Sequence, residues 1–167
     1  ELRNRLVTTG ADAGRFTSRD FYLDTFSDPQ NPHCVEDDFT NPVTHAFDLM
    51  ALARTDAGAP SQAVDFMLKQ QCPNGGFRIT LANTQCTDDS TADVDATSFA
   101  LNGIGAAHAS DAIVNAMLDG LGFLSDQSDE ANSINGNANS TGLAAAMFRA
   151  MGEAPDANLG AAFVKTL

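Results

Sequence analysis

The segment DVDATSFAL, residues 93–101, holds two carboxylates in a setting where chemistry is possible. Asp93 and Asp95 stand two residues apart, and Thr97 follows at the same spacing. A carboxyl group that is kept neutral in a dry pocket can act as a general acid. At the start of a helix, the same carboxylates would accept hydrogen bonds from unpaired first-turn N–H groups. The segment indicates an acid catalyst or a helix cap, and we favour the cap.

Two other stretches share the layout of this segment, so the chain contains an internal repeat. In NPVTHAFDLMALARTDAGAP, DVDATSFALNGIGAAHAS and NANSTGLAAAMFRAMGEAP, a polar cluster leads to a threonine, then to helix-forming residues, then to a turn of small residues. The threonines are Thr44, Thr97 and Thr141, which are 53 and 44 residues apart. This period is typical of helical hairpins. We expect Asn139 and Ser140 to cap the third of these helices.

A second helix is predicted after each of these three. Ser61, Ser110 and Asp156 are suitable N-caps for the second helices, because their side-chain oxygens can accept first-turn N–H groups. The residues 1–8 are typical of the tail of a preceding second helix, and Ser27–Asp38 is a polar connector. The prediction is one all-α repeat domain or fragment over 1–167, a layered α/α array. Its hairpins span approximately 38–71, 93–124 and 139–167.

The three cysteines indicate one disulfide. Cys72 and Cys86 bracket a short segment with a turn and one strand-like run. A bridge between them would close a loop of about 15 residues and contribute about 3 kcal/mol. Disulfides persist in oxidising compartments, which favours an extracellular or cell-surface protein. The alternative is two unrelated buried thiols, and Cys34 has no assigned partner.

The charge of the chain excludes several classes of partner. With 22 acidic and 9 basic residues, the formal net charge is −13. Nucleic-acid binding draws its affinity from Lys and Arg, so we expect no nucleic-acid partner. The sequence has no apolar run long enough to span a membrane. It opens on ELRNRLV without an initiator methionine, which is typical of a mature or excised segment.

Gln71, Gly75 and Phe77 fit a Gln–Gly–aromatic clasp, and Gly14–Phe16 contains a remnant of it. In this respect the chain resembles the α/α-toroid superfamily of squalene-type terpene cyclases and protein prenyltransferases. The resemblance implies that the Gln amide bonds backbone at a helix end, that the glycine forms a tight turn and that the aromatic ring seals the loop. This role is structural and indicates a fold, not a reaction.

The combination LKQQC…GFR…C, D-x-D-A-T and N-x-N-S-T-G-L-A is similar to that of uncharacterised secreted actinobacterial prenyltransferase-and-squalene-oxidase-repeat proteins. It covers roughly residues 40–167. A full toroid has about six hairpins, so the resemblance implies about half a toroid, an open arc. Either the rest of a parent chain or a second copy would complete it.

The chemistry of that superfamily is incomplete in this sequence. The cyclase motif D-x-D-D has Ala96 in place of its last acid, and the chain has no Trp and one Tyr for a carbocation cradle. The candidate zinc ligands lack metal-site spacing, and no basic diphosphate clamp is visible, so we expect no cofactor and no metal. Those candidates are His33, Cys34, His45 and His108.

Two other kinds of site, a calcium site and a thioester, have candidate residues in the sequence. Acidic clusters at Asp88–Asp89 and Ser125–Glu130 could hold Ca²⁺, but neither has the spacing of a calcium loop. Cys72 lacks the G-C-G-E-Q setting of a thioester. We therefore expect the acidic clusters to be solvated loops and Cys72 to be bridged to Cys86.

The sequence thus predicts a non-catalytic extracellular binding or interaction module. Its ligand would be a small molecule, a lipid or a protein of the cell envelope, held at the N-terminal ends of the first helices. The alternatives are a terpenoid- or prenyl-processing enzyme with Asp95 as its acid, and a carrier of a corrinoid- or lipid-like molecule. The predicted ligand-binding residues are Asp93, Asp95, Thr97, Thr44, His45, Asn139 and Thr141.

Overall fold

The structure, a computed structural model, describes residues 1–24, 30, 33–129, 133–134 and 136–165; of residues 19–24, 33–37 and 154 it describes the backbone alone. Within this part, the chain is mostly helical, as predicted. The six α-helices are Pro42–Ala53 (α1), Ser61–Leu68 (α2), Val94–Gly105 (α3), Asp111–Asp126 (α4), Ala138–Ala150 (α5) and Ala154–Val164 (α6). None of the described helices is long and apolar enough to cross a membrane.

The helices form three successive hairpins, α1–α2, α3–α4 and α5–α6. Residues 1–8 hold a single turn of 3₁₀ helix, Leu2–Arg5, in place of the predicted helix tail. Ser110 caps α4 as predicted and accepts a hydrogen bond from the backbone N–H of Ile113. The other two predicted caps are wrong: Pro60 holds the N-cap position of α2, and Glu153 holds that of α6.

The helices lie in two layers. The first helices α1, α3 and α5 pack side by side with α3 in the middle, while α2, α4 and α6 pack against them as a second layer. Small residues permit this approach, because a Cβ atom added at Gly103 of α3 would lie 2.9 Å from Cα of Ala46 in α1. The last turns of α1, α3 and α5 line one common pocket, so these three helices run parallel.

Two small antiparallel sheets correct the all-α prediction. Strand β1 (Arg19–Asp24) pairs with β2 (His33–Asp38). Strand β2 lies in the predicted polar connector, Ser27–Asp38, part of which lies outside the described residues, and β1 precedes that connector. The second sheet joins β3 (Phe77–Arg78) to β4 (Ala92–Asp93), so it ties the clasp loop to the start of α3.

One buried apolar residue anchors the loop that leads into each first helix. Phe16, Phe77 and Ile134 are at most 2% exposed. Each forms an isolated antiparallel bridge to a residue that lies one to three positions after the end of the preceding helix. The three bridges are Leu6–Phe16, Gln71–Phe77 and Ser128–Ile134. The internal repeat therefore extends to the loops as well as to the helices.

Two of these loops press a glycine against the backbone of a second-layer helix. Gly14 and Gly75 have φ angles of +98° and +87°. A Cβ atom at Gly14 would lie 2.1 Å from the carbonyl oxygen of Gln62 in α2, and one at Gly75 would lie 2.2 Å from that of Asp119 in α4. No side chain fits at either position. Each glycine is required because its backbone is left-handed and because the loop lies against the backbone of a helix.

We expect Gly75→Ala to lower the free energy of unfolding by about 3 kcal/mol or more, since it adds a collision with backbone to the left-handed penalty. Gly10→Ala is the matched control, because Gly10 has a φ of +81° and nothing within 4 Å of an added Cβ. Its cost should be about 1 kcal/mol. Urea unfolding of both variants measures the difference, and equal costs would contradict the docked loop.

Candidate functional site

The N-termini of α1, α3 and α5 are capped by side chains of the same kind. Asn41 accepts a hydrogen bond from the N–H of Thr44, whose hydroxyl in turn accepts one from the N–H of Asn41. Asp93 accepts from the N–H of Ala96, so the cap reading of Asp93 is confirmed. The cap of α5 is Asn137, two residues before the predicted Asn139.

Thr97 and Thr141 lie one turn into their helices and are buried. The hydroxyl of Thr97 accepts a hydrogen bond from the N–H of Phe77 at 2.8 Å and donates one to the carbonyl of Asp93 at 2.6 Å. The hydroxyl of Thr141 makes the same pair of bonds, from the N–H of Ile134 and to the carbonyl of Asn137. Both threonines therefore join the preceding loop to the helix.

His45 holds the corresponding position in α1, so the repeat aligns His45, not Thr44, with Thr97. The imidazole is fully buried between Phe16 and Phe66, with ring centroids 5.0 and 5.5 Å away. Its Nε2–H donates to the carbonyl of Ala63, and its Nδ1 has no partner among the described residues. Burial is the main effect and lowers the pKa of His45 to about 4. The hydrogen bond to Ala63 raises this pKa, and the positive charge of Arg15 lowers it, each by less than burial does.

These positions leave only some of the predicted ligand-binding residues available to a ligand. His45, Thr97 and Thr141 are buried and bonded, and Asp93 is engaged as a cap. Thr44 and Asn139 are exposed and Asp95 is half-buried. Because α1, α3 and α5 are parallel, these last three residues lie at the same end of the first layer.

An open face runs along α1 and α3 on the side that no other described helix covers. In α3, Asp95, Phe99 and Asn102 are half-buried at helical spacing, while the residues between them are buried. In α1, Thr44 and Phe47 are exposed one turn apart. Phe47 is 52% exposed, and its ring centroid lies 5.3 Å from that of Phe99. We define the open face as Thr44, Phe47, Asp95 and Phe99.

Asp95 is the one acidic side chain of this face. It stands in the first turn of α3, one helical turn before Phe99, so the carboxylate and the ring are neighbours. Its Oδ1 atom is buried and has no hydrogen-bond partner among the described residues. Buried polar atoms are nearly always paired, so this unpaired oxygen distinguishes Asp95 from Asp93, whose carboxylate caps the helix.

The clasp has the predicted geometry. Nε2 of Gln71 donates to the carbonyl of Gly75 at 2.9 Å and to that of Ala116 in α4 at 2.8 Å. The ring of Phe77 is fully buried beneath the loop. One amide therefore ties its own loop to the second-layer helix of the next hairpin.

The Cys72–Cys86 disulfide is present, with an S–S distance of 2.02 Å. Sequence reasoning overlooked the neighbouring Gln70, whose side chain is fully buried. Its Nε2 donates to the carbonyls of Phe66 and Ala82, and its Oε1 accepts from Nε of Arg78. The sequence signal for Gln70 was its position beside Gln71 at the end of a helix. In such a pair of glutamines, each side-chain amide can bond one side of the loop.

The structure gives no metal centre in the part that it describes, where no three His, Cys, Asp or Glu side chains cluster. Asp88 and Asp89 accept hydrogen bonds from the N–H groups of Ser90 and Asn74. His108 is exposed. The side chains of His33 and Cys34 lie outside the described residues, as does part of the cluster at Ser125–Glu130.

Comparison with family models, with curated proteins and with solved structures finds no match for this chain.

We expect acid to destabilise the fold through His45. The folded pKa of about 4 lies below the unfolded value of about 6.5, so the unfolded chain binds the proton first as the pH falls. Stability should therefore fall by about 1.5 kcal/mol between pH 6.5 and pH 5. Urea unfolding at both pH values measures this loss. His45→Gln should abolish it and His108→Gln should retain it; the same loss in both variants would contradict the assignment.

Proposed function

We propose that the chain is a non-catalytic extracellular binding module on an α/α-toroid-like scaffold, related to the secreted prenyltransferase-and-squalene-oxidase-repeat proteins. Three features support the scaffold: the parallel first layer, the clasp and the repeated loop anchors. The disulfide supports an oxidising compartment, and with it secretion.

One observation carries the binding function. The carboxylate of Asp95, with its unpaired Oδ1 atom, lies one turn from a pair of aromatic rings, the half-buried Phe99 and the exposed Phe47. A ligand that covers the rings removes apolar surface from water, and a donor on the same ligand completes the hydrogen bonding of the carboxylate. Neither gain requires chemical change in the ligand.

The open face selects a class of ligand. Its apolar part is two rings wide, and its polar part is the carboxylate of Asp95. We therefore expect an extended, partly apolar ligand with an amine or hydroxyl donor, such as a lipid or a segment of a cell-envelope protein. A net charge of −13 further favours a neutral or cationic ligand.

The second candidate is the prenyl-processing enzyme with Asp95 as its acid. The same unpaired oxygen favours it, because a catalytic acid must not be neutralised by neighbours. However, Phe47 is half in solvent, so the rings beside Asp95 do not enclose a dry cavity. Alkene protonation needs such a cavity, and the binding function does not.

The array also has a face that fits a further helix. In the first layer, α3 packs on the α1–α2 hairpin and α5 packs on the α3–α4 hairpin. The next such face carries a shallow groove of about 350 Å³. Its small lining residues are Gly142, Ala145, Ala146, Ala157 and Ala161. We propose that the remainder of a parent chain or a second copy packs here and extends the arc.

Native mass spectrometry of the protein, purified undenatured from the organism that encodes it, tests the binding function. We expect an added mass of fixed value. Phe47→Ala and Asp95→Asn should lose it, because each removes one half of the contact. Val114→Ala is the control, since Val114 is equally exposed on α4.

An added mass that all three variants retain would contradict the open face as the site. A protein mass without any addition would contradict a tightly held ligand. A ligand released as a different compound, with the conversion abolished in Asp95→Asn, would favour the enzyme.

A further inference from the structure

Four of the five methionines of the chain line one pocket. They come from three helices and the residue after one of them: Met50 in α1, Met117 in α4, Met147 in α5 and Met151, which follows α5. The pocket measures about 280 Å³ and is open to solvent. It lies at the C-terminal ends of α1, α3 and α5, at the opposite end of the first layer from Asp95.

The four thioethers occupy two depths of this pocket. Met147 and Met117 are 2% and 9% exposed, so they form its floor. Met151 is 36% exposed and Met50 is half-buried, so they stand at its mouth. Gly105 leaves room for the Met117 methyl group, which an added Cβ would approach to 2.8 Å. Met50 and Met151 can therefore meet a ligand from solvent, and Met117 and Met147 line the interior of the same pocket.

The other lining residues exclude hard cations. Among the residues that the structure describes, no carboxylate, imidazole or thiol lines the pocket, and its polar side chains are Arg54 and Asn102. Calcium and magnesium require oxygen ligands. The described side chains that line this pocket supply no charged oxygen. Neutral, polarisable thioethers select soft ions, above all Cu(I).

The electrostatics of the pocket favour a small cation despite Arg54. The C-terminal ends of three parallel helices point toward it, and each carries the negative end of a helix dipole. The guanidinium of Arg54 is exposed and therefore well screened, and its Nη1 donates to the carbonyl of Met50 at 3.4 Å. The protein as a whole is strongly acidic.

We propose that this methionine pocket, formed by Met50, Met117, Met147 and Met151, is a binding site for a soft monovalent metal ion, Cu(I) or its analogue Ag(I). Apolar packing alone would be served as well by leucine. Thioethers also suit an oxidising compartment, because they do not form disulfides. The site is separate from the open face, so it stands whether or not that face binds a ligand.

The test uses Ag(I) as the probe and the methionine methyl groups as the reporters. The full chain is labelled with ¹³C at the methionine methyls and carries Cys34→Ser, so that this thiol cannot compete. Silver nitrate is then added in chloride-free buffer. We expect four methyl signals to shift together and to saturate at one equivalent. The signal of Met67 should stay unchanged, because this fifth methionine is fully buried in α2.

Variants decide whether the thioethers are the ligands. Met50→Leu with Met151→Leu conserves volume at the mouth of the pocket and should leave the fold intact. It should weaken Ag(I) binding about tenfold or more. Met67→Leu is the matched control and should bind Ag(I) as the parent does.

Three results would overturn the proposal: no shift of the four methyl signals, an equal shift of the Met67 signal, or a double variant that binds Ag(I) as tightly as the control. Far-ultraviolet circular dichroism of each variant confirms that the fold is kept, so a loss of binding reports on the site.

Discussion

The fold depends on a single hydroxyl group between a loop and a helix. Oγ1 of Thr97 accepts from the N–H of Phe77 and donates to the carbonyl of Asp93, and both bonds lie in the interior. A buried N–H without a partner costs about 1–3 kcal/mol, so the loop and the helix must form together. Thr141 repeats the arrangement for Ile134, and a buried imidazole, His45, holds this position in α1. The two threonines therefore fix the preceding loop to the start of α3 and of α5, while His45 joins α1 to Ala63 in α2.

Docking of the loops explains why the helices can be short. The helices α1, α3 and α5 each span only about three turns, which is marginal for a helix in isolation. The clasp of Gln71 and Gly75 joins the loop before α3 to the second-layer helix α4, and the disulfide closes the segment between Cys72 and Cys86. The hairpins are therefore held through their connections as well as through their apolar faces.

The sequence predicted the helices well because their signals are local. A polar cap followed by helix-forming residues occurs three times, and the cap of α3 at Asp93 was predicted correctly. The cap of α5 was misplaced by two residues, since Asn137 and Asn139 are equally suitable by type. The β1–β2 hairpin was missed because neither strand shows apolar alternation: β1 holds one continuous apolar run, Phe21–Leu23, and half of the residues of β2 are acidic.

The candidate sites could be predicted only where their sequence signals are local. That Asp95 lies near the start of a helix follows from its own neighbourhood. That Phe47 and Phe99 meet beside it follows only from the packing of α1 against α3. The burial of Thr97 depends on Phe77, 20 residues earlier. The methionine pocket gathers residues spread from 50 to 151, and no spacing in the sequence indicates it.

Native-state hydrogen exchange at the amides of Phe77 and Ile134 tests the central claim most directly. The account predicts that both amides exchange as slowly as the slowest amides of α3. It also predicts that Thr97→Val accelerates Phe77 alone and that Thr141→Val accelerates Ile134 alone. Exchange of both amides at the rate of exposed loop amides, or a Thr97→Val variant in which the Phe77 amide stays protected, would contradict it.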